Sequence, residues 1–227
     1  MKKVLVIAAH PDDETLGCGG TMLTRQKNGD SIDVLICCEW KSMRQHTDKQ
    51  DLYVRRAMEK LKVHKLHALG FVGQRLEELP LLTLVRRIEE VVEEVKPEVI
   101  YTHFKGDNNQ DHRRVFEAAM VAARPLREEL RAVYSFYTVS STEWGRDGSF
   151  VPDTWVDITD VMPQKLEAFA CYQSEVKPFP HPRSVEALES VAKYFGNQCL
   201  MPYAEAFQTV MRLVRPDQAD RGKEDES

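Results

Sequence analysis

Four functional side chains, His10, Asp12, Asp13 and Glu14, fall within five residues at the end of the aliphatic run 4–9. An imidazole and a carboxylate three residues apart on a stiff turn suit a divalent metal ion. A neighbouring carboxylate is then left to take a proton from water. A polar turn in which Asp12 or Asp13 merely caps the next helix requires one such group, not four. A second polar run at 101–112 carries His103, Asn109, Asp111 and His112. In a nucleotide-binding-type sheet of order 3-2-1-4-5, the first and fourth strands are neighbours and a crevice opens between their carboxyl ends. The two runs would face each other across it. Together they make a two-histidine, one-carboxylate centre with open positions, the arrangement of a hydrolytic metal site. Asp12, beside a ligand but pointing elsewhere, is free to act as general base. Asp111 can orient an imidazole from behind.

The elements that must hold these residues follow from periodicity. Strands are expected over 3–9, 32–38, 67–71, 99–101 and 132–138, alternating with helices over 16–27, 52–61, 82–95 and 115–123. Apolar residues at 82, 85, 88, 92 and 95 mark the clearest helical stripe, which Pro97 stops. This alternation predicts an α/β fold: a Rossmann-like, doubly wound, mainly parallel sheet with helices on both faces. The last third differs. A strand is expected over 155–158 and helices over 165–172, 185–194 and 203–214, folding as a helical and loop segment over the active edge. Residues 1–215 are expected to form a single domain and the polar tail 216–227 to be disordered.

Net charge is −5, with 42% hydrophobic and 30% charged residues. These values fit a soluble enzyme and argue against general nucleic-acid binding. No apolar run approaches the roughly 20 residues of a membrane span, and the start does not read as a cleavable leader. A cytoplasmic protein without a membrane anchor is expected. The five cysteines form no C-x-x-C pair, so no disulfide framework is read. Gly17, Gly19 and Gly20 do not complete G-x-G-x-x-G, because Met22 takes the last place. They are read as allowing close packing of the first helix, and a dinucleotide-binding oxidoreductase is disfavoured.

The pairing of Ala9-His10-Pro11-Asp12-Asp13-Glu14 with the later Asp111-His112 resembles the LmbE-like, or PIG-L, family of zinc-dependent N-deacetylases. Leu69-Gly70-Phe71, Gln74-Arg75-Leu76, Tyr101-Thr102-His103, Gly106-Asp107, Ser141-Thr142-Glu143-Trp144, His181-Pro182-Arg183-Ser184 and Tyr203-Ala204-Glu205-Ala206-Phe207 extend the resemblance over most of the chain. It implies that His10, Asp13 and His112 hold Zn2+ or another divalent ion, with Asp12 as general base. The implied reaction removes the acetyl group from an N-acetylated amino sugar or its conjugate. The implied partner is thus a small-molecule amino sugar.

Two departures from the family pattern stand out. Many members carry a histidine where this chain has Asn109, which can donate a hydrogen bond but cannot carry a proton. The proton for the departing amine then falls to His181, held between two prolines, or to Asp12 in its acid form. The arginine often found after the second strand has no counterpart in register, and Arg44 in the preceding loop is taken as a substrate contact. Arg183 is a candidate for anionic or hydroxyl groups of the substrate, and Trp144 for stacking on a sugar ring. An amidase acting on a non-sugar amide of the thiol-conjugate type and a catalytically silent ligand-binding protein remain the rival readings. The oligomeric state, a homo-oligomer included, is left open.

Overall fold

Aliphatic residues in the first half alternate between the two faces of the sheet, and both faces are covered. In β1 (Lys3–Ala8), Val4 and Val6 enter one core while Leu5 and Ile7 enter the other. The computed structural model describes residues 1–39, 49–145 and 147–214. In chain order, β1 is followed by α1 (Asp13–Lys27), β2 (Ser31–Cys38), α2 (Gln50–Lys60), β3 (Lys65–Phe71), α3 (Leu81–Val95), β4 (Val99–Thr102), α4 (Gln110–Ala122) and β5 (Ala132–Phe136). Then come β6 (Thr154–Asp157), α5 (Met162–Ala170), α6 (Val185–Asn197) and β7 (Ala204–Arg212).

Among the described residues the strands form one seven-stranded sheet of order β3-β2-β1-β4-β5-β7-β6. The first five run parallel, and β7 lies antiparallel to both β5 and β6. Residues of α1, α2, α5 and α6 pack on one face, those of α3 and α4 on the other. β1 pairs with β4, so the crevice beyond their carboxyl ends lies where the strand order reverses. The mainly parallel, doubly wound sheet expected from sequence is therefore present. No helix of the described residues is long and apolar enough to cross a membrane.

Residues 203–214, expected as a helix, form the strand β7 instead. Ala and Glu at 204–206 favour helix locally, but pairing on both sides and burial of Ala204, Ala206 and Phe207 decide the outcome. The carboxylate of Glu205 is buried and accepts from Gly20 N at 2.8 Å, Thr21 N at 2.7 Å and Lys165 Nζ at 2.6 Å. The C-terminal third thus widens the sheet, with α5 and α6 packed on one of its faces. Two helices begin earlier than their apolar period suggests: α1 at Asp13 rather than 16, and α4 at Gln110 rather than 115. Their first turns are polar and carry Asp13 in α1 and Asp111 and His112 in α4. A Cβ on Gly17 would run into the Phe136 ring and one on Gly20 into Ile158, so these glycines do permit close packing of α1. Arg44 and the tail 216–227 lie outside the described residues.

Candidate metal centre and its cleft

The turn after β1 is tightly wound. Asp12, at the N-cap of α1, has φ 103° and ψ −28°, a left-handed conformation costly for a residue with a Cβ. Three contacts hold it there: its N–H donates to Glu14 Oε2 at 3.0 Å, its carbonyl accepts from Leu16 N at 2.8 Å, and its carboxylate meets Arg183. Glu14 is itself fixed by Tyr172 Oη at 2.7 Å. One residue on, Asp13 Oδ2 accepts from His10 N at 2.8 Å and lies 3.2 Å from His10 Nδ1. It is also 3.2 Å from His112 Nε2 and 3.5 Å from His103 Nε2. His10, Asp13 and His112 each offer one ligand atom, and these atoms all lie within 4.8 Å of one another.

Each imidazole has its own carboxylate behind it. His10 Nε2 meets Asp111 Oδ2 at 2.8 Å, whereas His112 Nδ1 lies 3.1 Å from Asp107 Oδ1. Asp107 is secured by the hydroxyls of Ser141 and Thr142 and by Asn109 N. His103 stacks on His112 with ring centroids 3.9 Å apart, and its Nε2 accepts the N–H of Ala9 at 2.8 Å. The proton of a neutral His103 therefore sits on Nδ1. His103 thus braces His112 rather than serving among the three grouped ligands.

Asp12 is buried, with Oδ2 2.8 Å from Arg183 Nη1, and the same nitrogen reaches Glu175 Oε2 at 2.7 Å. Arg183, taken from sequence as a substrate contact, is thus first a partner of Asp12. Sequence reasoning did not single out Glu175, because nothing local marks a carboxylate whose partner is eight residues away in a loop. Asp107 was noted only within a motif, although its Asx-type bond to Asn109 N is readable from D-x-N spacing before a helix.

The cluster as a whole favours positive charge. Burial alone would raise Asp13, but the His112 charge and the imidazole hydrogen bonds hold its carboxyl well below the usual range. Burial works against protonation of His112, yet Asp13 and Asp107 push it up to about 9. His10 is raised in the same way by Asp111 and Asp13, against burial. His103, buried beside the His112 charge, is pushed down to about 3 and stays neutral. Burial, aided by the charges of Asp13, Glu175 and Glu14, raises Asp12 well above the carboxylate range despite Arg183. Asp13 Oδ1 is buried without a hydrogen-bond partner. An orphaned carboxylate oxygen beside two imidazoles fits a divalent cation, and the two-nitrogen, one-oxygen donor set suits zinc.

Beside the cluster lies a polar cleft of about 360 Å³, lined by Gln74, Asn109, His112, Ser141, Trp144 and Arg183 among others. Asn109 caps α4 through its Oδ1, which accepts from Asp111 N at 2.9 Å, so its NH2 is the branch left for a ligand. Trp144 is 54% exposed, an open apolar surface in this polar wall. His181 is half-buried and does not line the cleft. Its Nδ1 accepts from Arg183 N at 3.0 Å, which leaves Nε2 to carry the proton of the neutral ring. The structure thus brings His10, Asp12, Asp13, Asp111, His112, Asn109, Trp144 and Arg183 to one end of the sheet.

A family model described as PIG-L, GlcNAc-PI de-N-acetylase, matches residues 5–123. The diacetylchitobiose deacetylase of Thermococcus kodakarensis is 30% identical over 232 residues, covering 92% of this chain and 84% of that protein. Among solved structures, the conserved protein TT1542 of Thermus thermophilus has a TM-score of 0.78 at 24% identity, covering 95% of this chain and 97% of that one. GalB, the 4-carboxy-2-hydroxymuconate hydratase of Pseudomonas putida KT2440, has a TM-score of 0.74 at 23% identity, covering 95% and 98%. The fold alone therefore does not fix the reaction. With the match over residues 5–123 and the Thermococcus relative spanning nearly its whole length, the chain belongs to the PIG-L family of deacetylases.

Proposed function

We propose that this protein is a zinc-dependent hydrolase that removes the acetyl group from an N-acetylated amino sugar or its conjugate, with Asp12 as general base. The observation that carries the reading is the grouping of His10, Asp13 and His112 within 4.8 Å beside a buried carboxylate that an arginine holds in place. The polar cleft with one exposed indole suits a polyhydroxylated ring, whose polar edge and apolar face differ. The diacetylchitobiose deacetylase relative supports the same substrate class.

His10, Asp13 and His112 would hold the ion, which when bound supplies Lewis-acid polarisation of the amide carbonyl and makes water acidic near neutral pH. Asp12, fixed by Arg183 and its strained backbone, accepts the proton from the attacking water. Arg183 keeps the carboxylate from turning away, and Glu175 offsets the arginine's charge. The Asn109 NH2 donates to the carbonyl oxygen as negative charge develops there. The amine leaves with a proton from Asp12 or from His181 Nε2. A His181→Gln variant separates these routes: a kcat loss of about 10²-fold or more assigns the acid to His181, and an unchanged kcat leaves it with Asp12.

The principal test is Asp12→Asn. Zinc per chain, measured by elemental analysis, is expected to stay unchanged. Acetate release from N-acetylglucosamine derivatives is expected to fall by about 10²–10⁴-fold. A variant that loses its zinc but regains full activity when the ion is restored would reverse the assignment.

A further inference from the structure

We infer that Cys38, His10 and Asp111 form a second metal site, one that takes a thiophilic ion such as Zn2+ in excess and inhibits the protein by claiming His10. Cys38 ends β2, and its N–H donates to Ala9 O at 2.8 Å, which ties the thiol-bearing residue to the strand end next to His10. Its Sγ lies 3.9 Å from Asp111 Oδ2, the oxygen that meets His10 Nε2 at 2.8 Å. One ligand atom from each of these residues lies within 4.8 Å of the others. Around a tetrahedral zinc ion the corresponding ligand-to-ligand separations are roughly 3.3–3.6 Å, so small side-chain shifts close the site. Asp111 is held for this role before any ion arrives, since the N–H groups of Gln74 and Leu76 donate to its two oxygens.

The two sites compete through the valence of one ring. A neutral imidazole has a single nitrogen lone pair. His10 Nδ1 faces Asp13 and Nε2 faces Asp111. Coordination toward Asp13 puts the ring proton on Nε2, donated to Asp111. Coordination at Nε2 puts it on Nδ1 and takes the ring out of the hydrolytic set, where the first ion stays on Asp13 and His112 alone, so both ions are bound in the inhibited chain. Binding releases the Cys38 thiol proton to solvent, and the thiolate becomes a ligand. Sulfur ligation makes this second site selective for Zn2+, Cd2+ or Co2+ over Mg2+ and Mn2+. His10 is the most accessible member of the trio, with 17% of its side chain reached by solvent, while Cys38 and Asp111 are buried.

The inhibitory arm rests on the proposed hydrolysis, but the site itself is read without substrate. Metal-free full-length protein is titrated with Co2+. Two equivalents are expected, the second bringing the near-ultraviolet charge-transfer band of a thiolate ligand. Cys38→Ser should bind one equivalent and show no such band, while Cys37→Ser keeps it. Cys38→Ala serves if the buried hydroxyl prevents folding. With Zn2+, acetate release should fall beyond one equivalent. In Cys38→Ser the zinc concentration for half-inhibition should rise by at least the roughly 10–100-fold that loss of an outer partner costs a metal site. A wild-type chain that saturates at one equivalent, or a thiolate band that survives Cys38→Ser, overturns the second site. If no acetylated substrate is turned over, the proposed function falls while the cobalt titration still decides this one.

Discussion

At the scale of single residues, the site is a set of paired roles. Asp111 holds His10 and Asp107 holds His112, so each imidazole has a separate carboxylate fixing its orientation. Burial raises the Asp107 carboxyl, but the neighbouring His112 imidazole and the hydroxyls of Ser141 and Thr142 prevail and bring it down to about 2, so it remains an anion. Asp107→Asn is therefore expected to weaken metal binding by about 10–100-fold in competition with a chelator of known affinity. Turnover at saturating metal should change far less. Equal metal affinity in variant and wild type would show that Asp107 merely joins loops. The sequence marked Asp111 as able to orient an imidazole. That the imidazole is that of His10, 101 residues away, depends on how the β1 turn meets α4.

At the scale of elements, α1 carries Asp12 and Asp13 at one end and a break in its middle. Cys18 departs from helical geometry at φ −148° and ψ 22°. The N–H groups of Gly20 and Thr21 donate to Glu205 of β7, and Leu16 O accepts from Lys165 Nζ of α5 at 3.0 Å. Lys165 and Glu205 are themselves paired at 2.6 Å, both buried. The break is thus stapled from two later elements. Glu205→Ala strands a buried ammonium and two backbone donors, so a loss of about 3–5 kcal/mol in denaturant unfolding is expected. A loss below about 1 kcal/mol, the range of an exposed pair, would mean the staple carries no load. None of this is readable locally, because 204–206 has helix-favouring composition and its strand state comes from β5 and β6.

At the scale of the whole molecule, the candidate ligands come from the β1 turn and the start of α4, which only the folded sheet brings together. An ion held there binds the native chain and not the unfolded one. At about 100 times its dissociation constant it stabilises by roughly 2.7 kcal/mol. For a chain of this size, chelation should lower Tm by roughly 5–10 °C in a calorimetric scan. Asp12→Asn should retain that shift, since Asp12 is not among the grouped ligands. A Tm indifferent to chelator would argue against a resident metal.

The amino-acid sequence by itself determined the doubly wound half of this protein, because strand and helix periods are local properties of neighbouring residues. It also marked the two polar runs that carry His10, Asp13, His103 and His112, because residue types with metal-binding chemistry cluster where strands end, and the family resemblance chose His112 over His103. Only the tertiary structure decided that Arg183 clamps Asp12 across 171 residues, that Asp111 backs His10 while Asp107 lies behind His112, and that Ala204–Arg212 is a strand. Those outcomes depend on hydrogen bonds and burial between segments far apart in the chain, where local preference has no say.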